Sequence, residues 1–335
     1  MNRMRGWWIA AAIVLFLAGL TVFFLWRTVR RGELVVPESL AGPDTVALIS
    51  FDLRRDDPGA AKALARIVDR DEKRKSHRLP AWAWWLLGGG SSSALPLGAA
   101  AVLPVRLVLA VDRPAGGEVS GGVVVSLSKY SSRLPEAMGA SPDPQVEGLP
   151  VVHPSRRGEA WTGIYANNIL LSRDAEGLRA IAARLGGRSE PPGALFEALR
   201  EAVPSGGDGF GIVVNPGDRL ERLAHEALAR SGVKIAEGEG ESVRLLPRDL
   251  LGSGFSVDFA TAEQARVEGV VLFGDSRAAS DGEEWVRRVL PVSLAFVGVE
   301  SRFTVRREGE RLLVSGTIEN LGRLWDRLLS GRLLD

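Results

Sequence analysis

By type and spacing, Ser276 is the residue of this chain best placed to act as a nucleophile. It stands in Val270–Gly282, VVLFGDSRAASDG, where an apolar run meets Gly-Asp-Ser and then an apparent helix. A serine at such a turn needs a base to take its proton, most often a histidine that a carboxylate orients. The three histidines, His77, His153 and His225, all precede Ser276, and none follows it. A structural role competes: Asp275 or Ser276 caps an early turn, and Ser280-Asp281-Gly282-Glu283 has capping-box spacing before Trp285, Val286 and Val289. The structural role is the expectation.

Other chemistry has less footing. HEALA at His225 opens like a zinc-protease helix, but the second histidine position is Ala229. Cysteine is absent, which excludes disulfides, thiolate metal sites and cysteine nucleophiles. No P-loop occurs, and GFG at Gly209 lacks the remaining glycines of a dinucleotide fingerprint. Asp56-Asp57 and Glu283-Glu284 suit helix starts, where the dipole favours acids. Asp143, Glu147 and Asp174 have no spacing that suggests paired acid–base work. No catalytic, cofactor-binding or metal-binding residue is therefore expected, nor any cofactor. The formal net charge is +1, from 42 basic and 41 acidic residues, so no global field draws in nucleic acid.

The elements that would carry such residues begin with an apolar stretch. Gly6–Trp26, GWWIAAAIVLFLAGLTVFFLW, has 21 uncharged residues, enough to cross about 30 Å of hydrocarbon as a helix. Trp7, Trp8 and Trp26 mark its ends like an interfacial belt, with Arg3 and Arg5 before it and Arg27 after it. It ends in Leu25-Trp26-Arg27, without the small-x-small site of a cleaved signal peptide. The expectation is an uncleaved single-pass signal anchor (residues 1–31, span 6–26) in a bacterial inner membrane. Its partner is the lipid bilayer, its C-terminal domain is extracytoplasmic, and residues 32–42 form a juxtamembrane linker.

Beyond the linker the sequence suggests a duplication. DTVALISFD from Asp44 and GFGIVVN from Gly209 read as strands, each followed by a helical pattern. GVVVS from Gly122 matches GVVLF from Gly269. ILLSRDAEGLRAIAARLGG from Ile169 matches LLVSGTIENLGRLWDRLLSG from Leu312 at a constant offset of 143 residues. Before these helices lie hairpins turning at Ala166-Asn167-Asn168 and at Arg307–Glu310. The expected fold is α+β, two tandem β-α-β-β-α-β-β-α repeats over 43–204 and 205–335, with antiparallel sheets covered by helices.

The first repeat carries an apolar insertion, 79–105, of 27 residues without a charge. Pro80, Pro96, Pro104 and the GGGSSS break argue against a continuous lipid-exposed helix. The segment packs on the domain, lies on the membrane or inserts. Trp82, Trp84 and Trp85 are its candidate membrane or ligand contacts.

With its anchor, the strand PDTVALISFDL and the segment LLSRDAEGLRAIAARL, the chain resembles an uncharacterised bacterial family of N-terminally anchored extracytoplasmic proteins that share a domain of unknown function. The likeness spans Val36–Leu329 and implies a duplicated α+β domain outside the membrane. It brings no functional residues. A second, local resemblance is to Gly-Asp-Ser hydrolases, in which the motif lies near the start of the catalytic domain and the histidine far downstream. This chain departs on both counts. The functional expectation is a membrane-anchored, non-catalytic envelope domain that binds or scaffolds an unknown partner, an envelope protein or an apolar ligand being the candidates. One alternative is a carrier or sensor of an apolar ligand or lipid at the membrane surface; the other is a serine hydrolase at Ser276.

Overall fold

Alternation decides most of this architecture. In Thr45–Leu53, Val46, Leu48 and Ser50 are buried, while Ala47, Ile49 and Phe51 are half-buried. That two-residue period marks a strand whose two faces are covered unequally. The computed structural model describes residues 29–53, 104–113, 119–132, 134–153, 160–188, 190–204, 207–215, 246–247, 249–261, 263–296 and 299–321. Its elements are β1 (Val29–Arg31), β2 (Thr45–Leu53), β3 (Val105–Asp112), β4 (Ser120–Leu127), β5 (Lys129–Ser131) and helix α1 (Leu134–Ala137). Next come β6 (Ser141–Asp143), β7 (Leu149–Val152), β8 (Trp161–Tyr165), β9 (Asn168–Ser172), α2 (Ala175–Leu185) and α3 (Ala194–Ala202). The last are β10 (Gly209–Val214), β11 (Leu250–Thr261), β12 (Gln264–Phe273), α4 (Ser276–Phe296), β13 (Glu300–Glu308) and β14 (Arg311–Glu319).

A 12-stranded sheet runs β13-β14-β12-β11-β10-β2-β3-β4-β9-β8-β7-β6, every neighbouring pair antiparallel. β1 and β5 form a separate two-stranded ribbon. On one face, Leu178 and Ile181 of α2 and Phe196 and Leu199 of α3 share a core with Leu48, Val108, Val124, Leu170, Ile212 and Val270. On the other face, the described residues form further clusters, one of them Leu321 with Val257 and Ala265. Leu134 of α1 packs with Leu127 and Ile169, and Ala278, Ala279 and Val286 of α4 pack with Phe273 and Leu312.

The stretch 32–42 is bound to the first face as a strap. The Asn167 amide donates to Glu33 O at 2.8 Å, Val35 N–H donates to Ser126 Oγ at 3.0 Å, and Arg106 donates to Val35 O at 2.8 Å. Arg106 also grips Asp52 through both carboxylate oxygens, at 2.5 and 2.7 Å. This bond to Asp52 holds the guanidinium above its ordinary pKa, with burial pulling the other way. Further along, Glu38 pairs with Arg200, whose guanidinium lies 4.7 Å from the centre of the Phe210 ring. Leu40 is fully buried.

Two expectations are corrected here. The fold is not a tandem pair of α+β repeats with their own sheets. Among the described residues it is mostly antiparallel β, 50% strand and 24% helix, on one continuous 12-stranded sheet. The physical cause is the pairing of β2 with β10, from Gly209 opposite Phe51 to Val213 opposite Ala47, which leaves no free edge between the halves. The transmembrane, single-pass signal-anchor reading, and the inner-membrane location that follows from it, are likewise not sustained. Among the described residues, no helix is long and apolar enough to cross a membrane. α4 has 21 residues, but Arg277, Asp281, Glu283, Glu284, Arg287 and Arg288 fall within it. The span 6–26 itself, with Arg3, Arg5, Trp7, Trp8, Trp26 and Arg27, lies outside the described residues.

Candidate functional site

The turn between β8 and β9 organises a cleft at one end of the sheet. Ala166 takes the left-handed conformation (φ 53°), and Asn167 behind it is buried. The Asn167 amide donates to Leu127 O at 2.7 Å as well as to the strap, so one side chain fixes turn, sheet and strap together. Ile164 and Tyr165, the last residues of β8, alternate across the sheet and reach the cleft from its two faces.

The facing wall is a 3-10 turn, Pro144–Val146, and the two residues after it. Asp143 caps it, accepting from Gln145 N–H at 2.6 Å through its side chain and from Gly148 N–H at 2.8 Å through its carbonyl. Glu147 (φ 55°) and Gly148 (φ 79°) then reverse the chain into β7. Arg179 of α2 donates twice to Gln145 O, at 3.1 and 2.5 Å, which holds the turn to the helix.

Between these walls lies a cavity of about 480 Å³. Val146, Leu149, Ile164 and Ala182 form an apolar floor, and all four are buried. Tyr130 of β5 and Tyr165 line it as well. The chain contains 2 tyrosines, and both are here. Arg30 of β1, Arg188 and Glu147 complete the charged lining, with Arg188 Nη1 2.9 Å from Glu147 Oε2.

Ser276 stands elsewhere. It is the exposed first residue of α4, and the side chain of Asp275 caps that helix by accepting from Ala278 N–H at 2.7 Å. The Ser280–Glu283 capping-box reading is corrected: these residues fall inside α4, where Glu283 and Glu284 pair with Arg287 and Arg288 at 2.7 and 2.9 Å. His153, the one histidine among the described residues, follows β7, eight strand positions from β12, or roughly 38 Å along the sheet. It lies 3.2 Å from Asp143 and edge-on to Trp161. Asp174 caps α2, accepting from Gly177 N–H at 2.8 Å. No cluster of three histidine or acidic side chains suited to a metal occurs among the described residues. His77, His225, Asp56, Asp57, Trp82, Trp84, Trp85 and nearly all of the apolar insertion 79–105 lie outside the described residues.

No protein-family model and no curated protein matches this chain. Among solved structures it is similar to crystal form I of TP0453, with a TM-score of 0.48 and 13% identity, covering 88% of this chain and 97% of that one. A likeness at that level carries no inference about function.

Sequence reasoning passed over the cleft because its residues come from separate segments, near 30, 130, 147, 165 and 185, and share no period. The scarcity of tyrosine was the signal available.

Proposed function

We propose that the protein is a non-catalytic binding domain that holds a small molecule in the cleft between the Pro144–Val146 turn and the β8–β9 turn. The observation that carries this is the convergence of both tyrosines and two arginines on a buried apolar floor. Small-molecule sites typically occupy about 300–1,000 Å³, mostly apolar, with a few polar groups that fix orientation. The cleft has that volume and that division of labour. Tyrosine suits the task, since its ring adds contact area and its hydroxyl both donates and accepts. Glu147, the carboxylate of the lining, is held by Arg188 and so orients a guanidinium rather than acting as a free base.

Fluorotyrosine labelling of the full chain tests this directly. Two tyrosines give two fluorine NMR signals, assigned with Tyr130→Phe and Tyr165→Phe, and both report on the cleft. Titration with a panel of small aromatic and aliphatic compounds is expected to move both signals together with saturation. A compound that raises the melting temperature and leaves both signals still would place the binding site elsewhere.

A further inference from the structure

The charges around the cleft are unequal, and the difference bears on what it holds. Arg30 and Arg188 face a single Glu147. The Arg188–Glu147 pair, 2.9 Å apart with both side chains more than half exposed, cancels one of the two positive charges at the rim. Arg30 is exposed and makes no ion pair among the described residues. β1 pairs it opposite Tyr130 in the β1–β5 ribbon, beside the opening. An isolated surface arginine is ordinary. An arginine with no ion pair among the described residues, beside a tyrosine and over a buried apolar floor, is a place for a charge that arrives with an apolar body attached.

We infer that the cleft takes a small amphipathic carboxylate, its head on Arg30 and its ring or short chain on Val146, Leu149 and Ile164. This rests on the binding reading above. A guanidinium offers two parallel N–H groups that match the two oxygens of a carboxylate, which a neutral amide cannot reproduce. The Tyr130 and Tyr165 hydroxyls can donate to the head or to a polar substituent. Arg188 stays with Glu147 and sets the far wall.

The test compares naphthoate with naphthamide, which share one ring system and differ in charge, on full-length fluorotyrosine-labelled protein and its Arg30→Gln variant. Naphthoate is expected to move both signals and to bind about fivefold tighter than naphthamide, the size of a well-placed exposed ion pair. The preference is expected to shrink with added salt. In Arg30→Gln the preference should vanish while naphthamide affinity stays the same, which a merely structural role for Arg30 would not produce. Equal affinities in the native protein overturn the carboxylate inference and leave the cleft as a ligand site. A preference that survives in Arg30→Gln overturns the assignment to Arg30. If neither compound moves either signal, both readings fall.

Discussion

Asp112→Ala is expected to cost about 3 kcal/mol of stability, because it strands a largely buried cation. Asp112 ends β3 and is 4% exposed. Its carboxylate accepts from Thr45 Oγ1 at 2.7 Å and from Arg184 at 2.9 and 3.2 Å. Arg184, whose side chain is 11% exposed, also donates to Leu40 O at 2.8 Å, so the cluster ties the end of α2 to the strap and the sheet. Without the carboxylate, the guanidinium keeps that carbonyl as its sole acceptor among the described residues, and Thr45 loses an acceptor worth about 1 kcal/mol. Asp112→Asn retains an oxygen for Thr45 but not the charge, and should cost about 2 kcal/mol. The double variant Asp112→Ala/Arg184→Met should be more stable than Asp112→Ala alone, since no unpaired charge remains. Urea unfolding followed by far-ultraviolet circular dichroism measures all three, with unchanged slope expected. A loss below about 1 kcal/mol for Asp112→Ala, or a double variant no better than the single, would refute this account of the cluster.

Gly282→Ala should destabilise by about 1–3 kcal/mol, although alanine is the better helix former by about 1 kcal/mol. An added Cβ would lie 2.2 Å from the buried Phe273 ring, so a neutral or stabilising result in thermal unfolding would contradict the packing of α4 on β12. Asp275→Ala should cost about 1 kcal/mol as a lost cap, whereas Ser276→Ala should change stability little; the reverse order would reassign the cap. A fluorophosphonate probe is expected not to label Ser276, and labelling absent in the alanine variant would instead make it a nucleophile. Ala47→Cys with Val213→Cys should form an intramolecular disulfide, since register partners lie about 4.5–5.5 Å apart and the chain has no other cysteine. Failure to cross-link under oxidation would argue against the β2–β10 junction.

Local features of the fold were legible. The strands at Thr45 and Gly209 show in their apolar runs, the hairpins at Ala166 and Gly309 in their turn residues, and α2 in the spacing of Leu178, Ile181 and Leu185. The partner of each strand was less so. β2 and β10 meet across most of the first half of the chain, and alternation says which face is buried, not which edge is joined. Two cap signals compete for the start of α4, one at Asp275–Ser276 and one at Ser280–Glu283. Asp275 takes the role because starting there lets Ala278 and Ala279 bury against the sheet. α3 was missed although Pro191-Pro192-Gly193 announces it, its stripe being only Phe196 and Leu199. The cleft was illegible for a different reason. Its floor is made of ordinary buried core residues, and the turns at Glu147 and Ala166 frame them as a cleft.

The most direct measurement is a crystal structure of the full chain grown with naphthoate. The ring is expected on Val146, Leu149 and Ile164, between Tyr130 and Tyr165, with its carboxylate within hydrogen-bond distance of Arg30. Naphthoate bound at another place, with the cleft holding only solvent, would contradict it.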